Sequence, residues 1–164
     1  MFPLSVASAM SIKIGFSNGE NNILNVKRYV LSGIFITLVF VFFIALIYVF
    51  FSKPLLSIFT NDIEVIKVAL PVMTVVVCFL LFDGIQCAAS GALRGLKDTK
   101  PIMITMGVAY LLIGIPTGCI LAFKYNIVLI GFWIGLALAL FSACVISSTI
   151  LIRKIKKLET KICS

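Results

Sequence analysis

The 164-residue chain has no histidine, and it carries six acidic residues against fourteen lysines and arginines. Without histidine, a His-based triad, a His proton shuttle and the usual zinc site have no support. The five cysteines, at 78, 87, 119, 144 and 163, form no CxxC and no paired spacing. Four of them fall in apolar runs, where cysteine behaves as a small hydrophobe. Cys163 sits too near the end for a C-a-a-X box, so it reads as a free thiol, or one palmitoylated beside the basic tail. Charge of either sign is scarce: only 12% of residues are charged, 62% are hydrophobic and the mean hydropathy is +1.21. A soluble domain is about half apolar and about a quarter charged. This much apolar surface requires lipid as part of the solvent. Residues 1–16 lack the basic n-region and clear apolar core of a secretory signal.

The net charge of +8 does not indicate a nucleic-acid partner. The basic residues lie between apolar runs and form no patch interleaved with aromatics. Four long apolar runs cover 29–51, 65–93, 101–123 and 127–152. Each exceeds the roughly 20 residues that a helix needs to cross the hydrocarbon core. The alternating pattern of a membrane barrel is missing, which leaves helices. A shorter piece at 2–16, richer in Ser and Ala, reads as part of a span or a helix buried among others. The expectation is an all-α integral membrane protein, one membrane domain over 1–164, with about five transmembrane helices of which the first is short or partial. Their expected extents are 2–16, 29–51, 62–93, 101–123 and 127–156.

The connections carry turn chemistry. Asn18-Gly19 predicts the first turn, and Pro54 a turn or helix start. Asn61 followed by Glu64 resembles a capping box. Gly95 predicts a helix stop, and Pro101 opens the next helix. Assigning alternate connections to opposite sides puts eleven basic residues on one side and three, Lys53, Lys67 and Lys124, on the other. The positive-inside rule makes the first side cytoplasmic, with the C-terminus inside and the N-terminus outside. A multi-pass protein of the plasma (bacterial inner) membrane is expected.

One acid stands inside an apolar run. Asp83 has no basic residue within ten positions on either side. Arg94 follows 11 residues later, roughly 16 Å along a helix, which puts Asp83 near the midplane. An Asp there costs about 2.5 to 3.5 kcal/mol, so it normally faces a bundle interior or a water-filled cavity. Gln86 and Ser90 lie at i+3 and i+7 on the same face, as candidates for lining a cavity. Gly84, Ala88 and Gly91 or Ala92 add the small-residue spacing that lets another helix approach. Asp83 then reads as a proton carrier or sodium ligand on a transport path, or as a neutral Asp bonded to a neighbouring helix. Pro116 interrupts the run at 101–123 and should kink it, as a hinge or as a packing adjustment. Trp133 reads as an interfacial anchor near the outer end of the last span.

These motifs resemble a known family. "PLSVASAMSIKIGFSNG" is similar to the second helix of the C-terminal lobe of multidrug and toxic compound extrusion (MATE) transporters. "SIFTNDIEV" resembles the outer turn after the next helix, and "FDGIQCAASGALRGLKDTKP" the acidic helix and cytoplasmic turn of that lobe. "IGIPTGCIL" and "GFWIGLALAL" resemble its last two helices. The resemblance covers about residues 1–156. It implies part of a twelve-helix, two-lobe transporter fold and efflux of drugs or other organic cations coupled to Na+ or H+, with no other cofactor. It implies that Asp83 helps bind the coupling ion, and Gln86 is carried over only as a cavity-lining residue. The family's alternating access rocks two lobes. This chain supplies about four and a half helices, so it is expected to be a C-terminal fragment, inactive alone. The expected partners are membrane lipids, the organic-cation substrate and an N-terminal lobe, from the same gene or a separate chain. The alternatives are a non-transporting membrane module that binds a partner subunit, and a lipid-linked or polysaccharide flippase of the same superfamily. An enzyme is not expected, because no nucleophile–base pair or metal-ligand cluster is present.

Overall fold

The structure, a computed structural model, describes residues 2–59, 62–124 and 128–163, and their side chains except 124, 128–130 and 161–163. Among the described residues every regular element is a helix. They run in the order α1 (Phe2–Gly19), α2 (Ile23–Phe50), α3 (Ser52–Phe59), α4 (Ile63–Gly95), α5 (Lys100–Gly107), a π-helical segment (Val108–Gly114), α6 (Ile115–Lys124) and α7 (Val128–Cys163). Four stretches are long and apolar enough to cross a membrane: Ile23–Phe50, Ile63–Gly95, Lys100–Phe123 and Gly131–Thr160. The chain is therefore a multi-pass membrane protein.

The helices outrun the apolar runs at their basic ends. α2 begins at Ile23 rather than 29, and α7 continues to Cys163 rather than 156. Hydropathy stops where Lys and Arg begin, but a helix does not. These side chains extend their stems along apolar surface and keep the charge at the interface. Ile155 and Leu158 in the tail still pack on the core. The connection after α2, where Pro54 reads as a turn or helix start, contains the short helix α3, with the Ser57 hydroxyl bonded to the Pro54 carbonyl at 2.8 Å.

α4 occupies the middle, packed against α1, α2 and α7, while α6 and the π-helical segment lie along α7. The core gathers at the basic end, from Met10, Ile14, Val26, Val30, Ala88, Ala89, Ala92, Leu93, Leu96 and Leu151. Small residues set the spacing there. A Cβ on Gly91 would stand 2.5 Å from the Ala7 carbonyl oxygen, and one on Gly95 would stand 2.7 Å from that of Ser11. The α1–α4 crossing is thus a small-xxx-small contact, with Ala7 and Ser11 facing Gly91 and Gly95. A second contact of the same kind joins α6 to α7, where a Cβ on Gly135 would lie 2.7 Å from the Gly118 backbone.

α4 ends at Gly95, as expected, and α1 ends at Gly19, but neither glycine takes the left-handed turn position. The left-handed residues are Lys97, at φ 58°, and Asn21, at φ 55°. After α4, Asp98 N–H donates to Leu93 O and Lys97 N–H to Arg94 O, both at 3.0 Å. After α1, Asn22 N–H donates to Ser17 O at 2.9 Å and Asn21 N–H to Asn18 O at 3.2 Å. Both are Schellman closures, which satisfy the last carbonyls of a helix. Gly95 is needed for contact with α1, so the left-handed position falls two residues later. Asn22 then caps α2 by accepting from Asn25 N–H at 3.1 Å. At the start of α4 the cap is Asp62, which accepts from Glu64 N–H at 2.9 Å. The expected Asn61 cap, and the connection at 124–126, lie outside the described residues.

Candidate functional site

α4 carries the site because its two halves differ. Apart from Val72, its buried residues all lie between Gly84 and Gly95. Asp83 stands at the upper edge of that packed half, itself half-buried. It lines a cleft of about 250 Å³ together with Phe2 and Pro3 of α1, Phe40, Val41 and Ile44 of α2, and Leu80. The Phe2 and Phe40 rings stack at 3.6 Å between centroids on one wall. Gly84, the next residue, is held to small size by Val41, whose Cγ2 lies 2.9 Å from where a Cβ would stand. That contact brings α2 up to α4 beside the carboxylate.

Among the described residues no lysine or arginine side chain pairs with the Asp83 carboxylate. The other side chains lining the cleft are apolar.

Gln86 and Ser90 are placed apart from that cleft. Both are buried at 4% exposure. The Gln86 amide donates to the Ser90 hydroxyl at 3.2 Å and to the Met106 sulfur of α5 at 3.4 Å. The three residues share a helical face, as their spacing implies, but neighbouring helices divide it between α1–α2 and α5.

Pro116 follows the π-helical segment directly. The Ile115 N–H bonds the Tyr110 carbonyl, five residues back. Proline lacks an N–H and crowds the carbonyl four residues before it. Widening the turn by one residue makes room for the ring. The Thr117 hydroxyl donates to the Ile113 carbonyl at 2.5 Å and reaches that of Gly114 at 3.2 Å, adding a side-chain bond to the backbone beside the proline. The π-helical segment itself was missed in the sequence, and only the Gly-Ile-Pro-Thr-Gly stretch marks its end. Trp133 packs edge-to-face on Phe79 of α4, with centroids 6.0 Å apart.

At the basic end, Lys154 of α7 pairs with Asp98 in the α4–α5 turn, and Lys27 of α2 pairs with Glu159 of α7. The tail is fastened to the bundle rather than merely solvated. Among the described residues no group of three or more His, Cys, Asp or Glu side chains could hold a metal ion.

The family model described as MatE matches residues 1–120. The chain belongs to the MatE family. Among curated MatE relatives, a protein named "Probable multidrug resistance protein NorM" from Bacillus thuringiensis subsp. konkukian is 36% identical over 140 residues, 85% of this chain and 31% of its own length. The "Multidrug resistance protein MdtK" of Photorhabdus laumondii subsp. laumondii is 33% identical over 149 residues, 88% of this chain and 33% of its own. The crystal structure of the eukaryotic MATE transporter AtDTX14 superposes with a TM-score of 0.85 at 23% identity, covering 98% of this chain and 37% of that one. That likeness establishes the fold. The chain spans about a third of the length of the curated MatE relatives it matches.

Proposed function

We propose that this chain is the ion-coupling part of a C-terminal lobe in a cation-coupled antiporter that exports drugs or other organic cations. It works with an N-terminal lobe, from the same gene or a separate chain, and is inactive without one. Asp83 carries the coupling ion. The observation behind this reading is a carboxylate in an apolar cleft, roughly 16 Å from Arg94, that joins neither ion pair among the described residues. Membership in the MatE family and relatives named for multidrug resistance support the direction of transport and the substrate class. A proton needs only the Asp83 carboxylate. A sodium ion needs further oxygens, which the side chains lining the cleft do not provide and which backbone or water would supply. The π-helical segment before Pro116 is the place where the Lys100–Phe123 span bends during the transport cycle. The protein sits in the plasma (bacterial inner) membrane with its C-terminus in the cytoplasm, as Lys13, Lys27 and Arg28 on the helices flanking the first turn, Arg94, Lys97 and Lys100 around the second, and the tail favour.

The small-residue face of α4, which suggested a module binding a partner subunit, is already occupied: Gly91 and Gly95 contact α1. That observation favours the transporter reading over the module.

The test is Asp83→Asn in a protein that includes the N-terminal lobe, reconstituted into vesicles. Organic-cation efflux driven by a sodium or proton gradient should be lost, while binding of the organic cation in the absence of a gradient persists. Efflux with unchanged coupling would refute the role of Asp83.

A further inference from the structure

Three helical stripes converge on a groove away from the Asp83 cleft. α2 contributes Lys27, Val30, Leu31 and Ile34; α4 contributes Ile85 and Ala89; α7 contributes Ser148, Leu151, Ile152, Ile155, Lys156 and Glu159. Each set follows helical spacing, so each is one continuous face. The groove holds about 480 Å³, within the usual range of ligand sites. Its floor is low because Ala89 is small. Its walls open sideways, since Leu31 is 69% and Ile152 55% exposed. It runs from Lys27 to Ile34, on the order of 10 Å along α2, from the basic end toward the middle of the span.

Charge is confined to one end. Lys27 bonds Glu159 there, which uses one of its three donors. Lys156 stands at the same mouth and has no acidic partner among the described residues. The mouth is therefore net positive, and everything deeper is apolar except the Ser148 hydroxyl.

We propose that this groove binds one anionic phospholipid. An acyl chain lies along Val30, Ile34, Ala89 and Leu151, and the phosphate meets Lys156 and the free donors of Lys27. Basic pockets between transmembrane helices at the cytoplasmic face hold anionic headgroups in this way. Zwitterionic lipid would bring a second positive charge to a mouth that already has an excess.

The test uses the 164-residue chain in mild detergent, with lipid retention read by native mass spectrometry. Phosphatidylglycerol and phosphatidylcholine of matched chains are offered together. The chain should retain one phosphatidylglycerol in preference. Lys156→Gln should lower that preference roughly fivefold. Lys157→Gln, which removes the same charge one residue away, should leave it intact. Leu31→Trp, which blocks the open wall at an exposed position, should also abolish retention. Equal loss in the two lysine variants would reduce the effect to diffuse charge on the tail and overturn the proposal. So would equal retention of both lipids, or displacement of the lipid by inorganic phosphate alone. A protein segment found in the groove when the N-terminal lobe is present, with no lipid retained, would overturn it as well.

Discussion

Replacing Gly91 with Ala tests whether the α1–α4 contact governs the bundle. The added methyl would lie 2.5 Å from the Ala7 carbonyl oxygen, 2.7 Å from its Cα and 2.8 Å from its Cβ. Two of those atoms are backbone, so no rotamer change relieves the clash. α1 must retreat by about an ångström, and its contacts through Ser11, Met10 and Ile14 loosen with it. Overpacking of this kind costs about 1 to 3 kcal/mol. Helix propensity works the other way, since Ala is favoured over Gly by about 1 kcal/mol. Gly107 isolates that second effect, because a Cβ there meets nothing within 4 Å. Gly107→Ala should therefore stabilise slightly while Gly91→Ala does not, a separation of about 1 to 3 kcal/mol set by the overpacking alone. The assay is unfolding of the purified chain in mixed micelles by added SDS, followed by far-ultraviolet circular dichroism. Equal midpoints for the two variants would refute the claim that close backbone approach, rather than general lipophilicity, holds α1 in place.

Lys97→Gly should raise stability by about 1 kcal/mol in the same unfolding assay, because the left-handed Schellman position strains a lysine and not a glycine. Lys154→Gln, which breaks the pair with Asp98, should cost less than about 1 kcal/mol, and the difference should shrink in 1 M salt; a larger, salt-independent loss would mean that the pair is shielded from solvent. Pro116→Ala should restore regular α-helical bonding before residue 116 and slow amide exchange across the π-helical segment; unchanged exchange would mean that the proline does not cause the widened turn.

The apolar spans were legible because hydropathy and length decide them. Asp83 was legible for the converse reason: a single carboxylate in such a run stands out. What stayed hidden were choices between two local uses of one residue type. Gly95 looks like a helix stop, and only the Ser11 carbonyl opposite it shows why it is needed as a contact. Lys97 then takes the left-handed turn, a role that nothing in its side chain announces. The shared face of Asp83, Gln86 and Ser90 was readable from spacing. Its division between α1–α2 and α5 was not, because that depends on where other helices pack. In the sequence the tail is simply a basic segment, yet its Lys154 pairs with Asp98 and its Glu159 with Lys27, both from elements far away in sequence.

The position of Asp83 along α4 follows from this packing. Below it, Gly84 to Gly95 is closed by α1, α2 and α7, and a carboxylate there would be buried without a partner. Above it, the helix separates from its neighbours. Open spaces of about 560 and 590 Å³ lie between α2, α3 and the first turns of α4, around Lys67, Leu70 and Pro71. A carboxylate on that stretch would face lipid tails. Asp83 occupies the boundary between the packed half of α4 and the less buried half above it. Its level is fixed by the glycine contacts below. Those same contacts place Phe2 and Pro3 in the cleft wall. A substitution such as Gly91→Ala, two turns from the acid, should therefore alter access to Asp83 as well as stability.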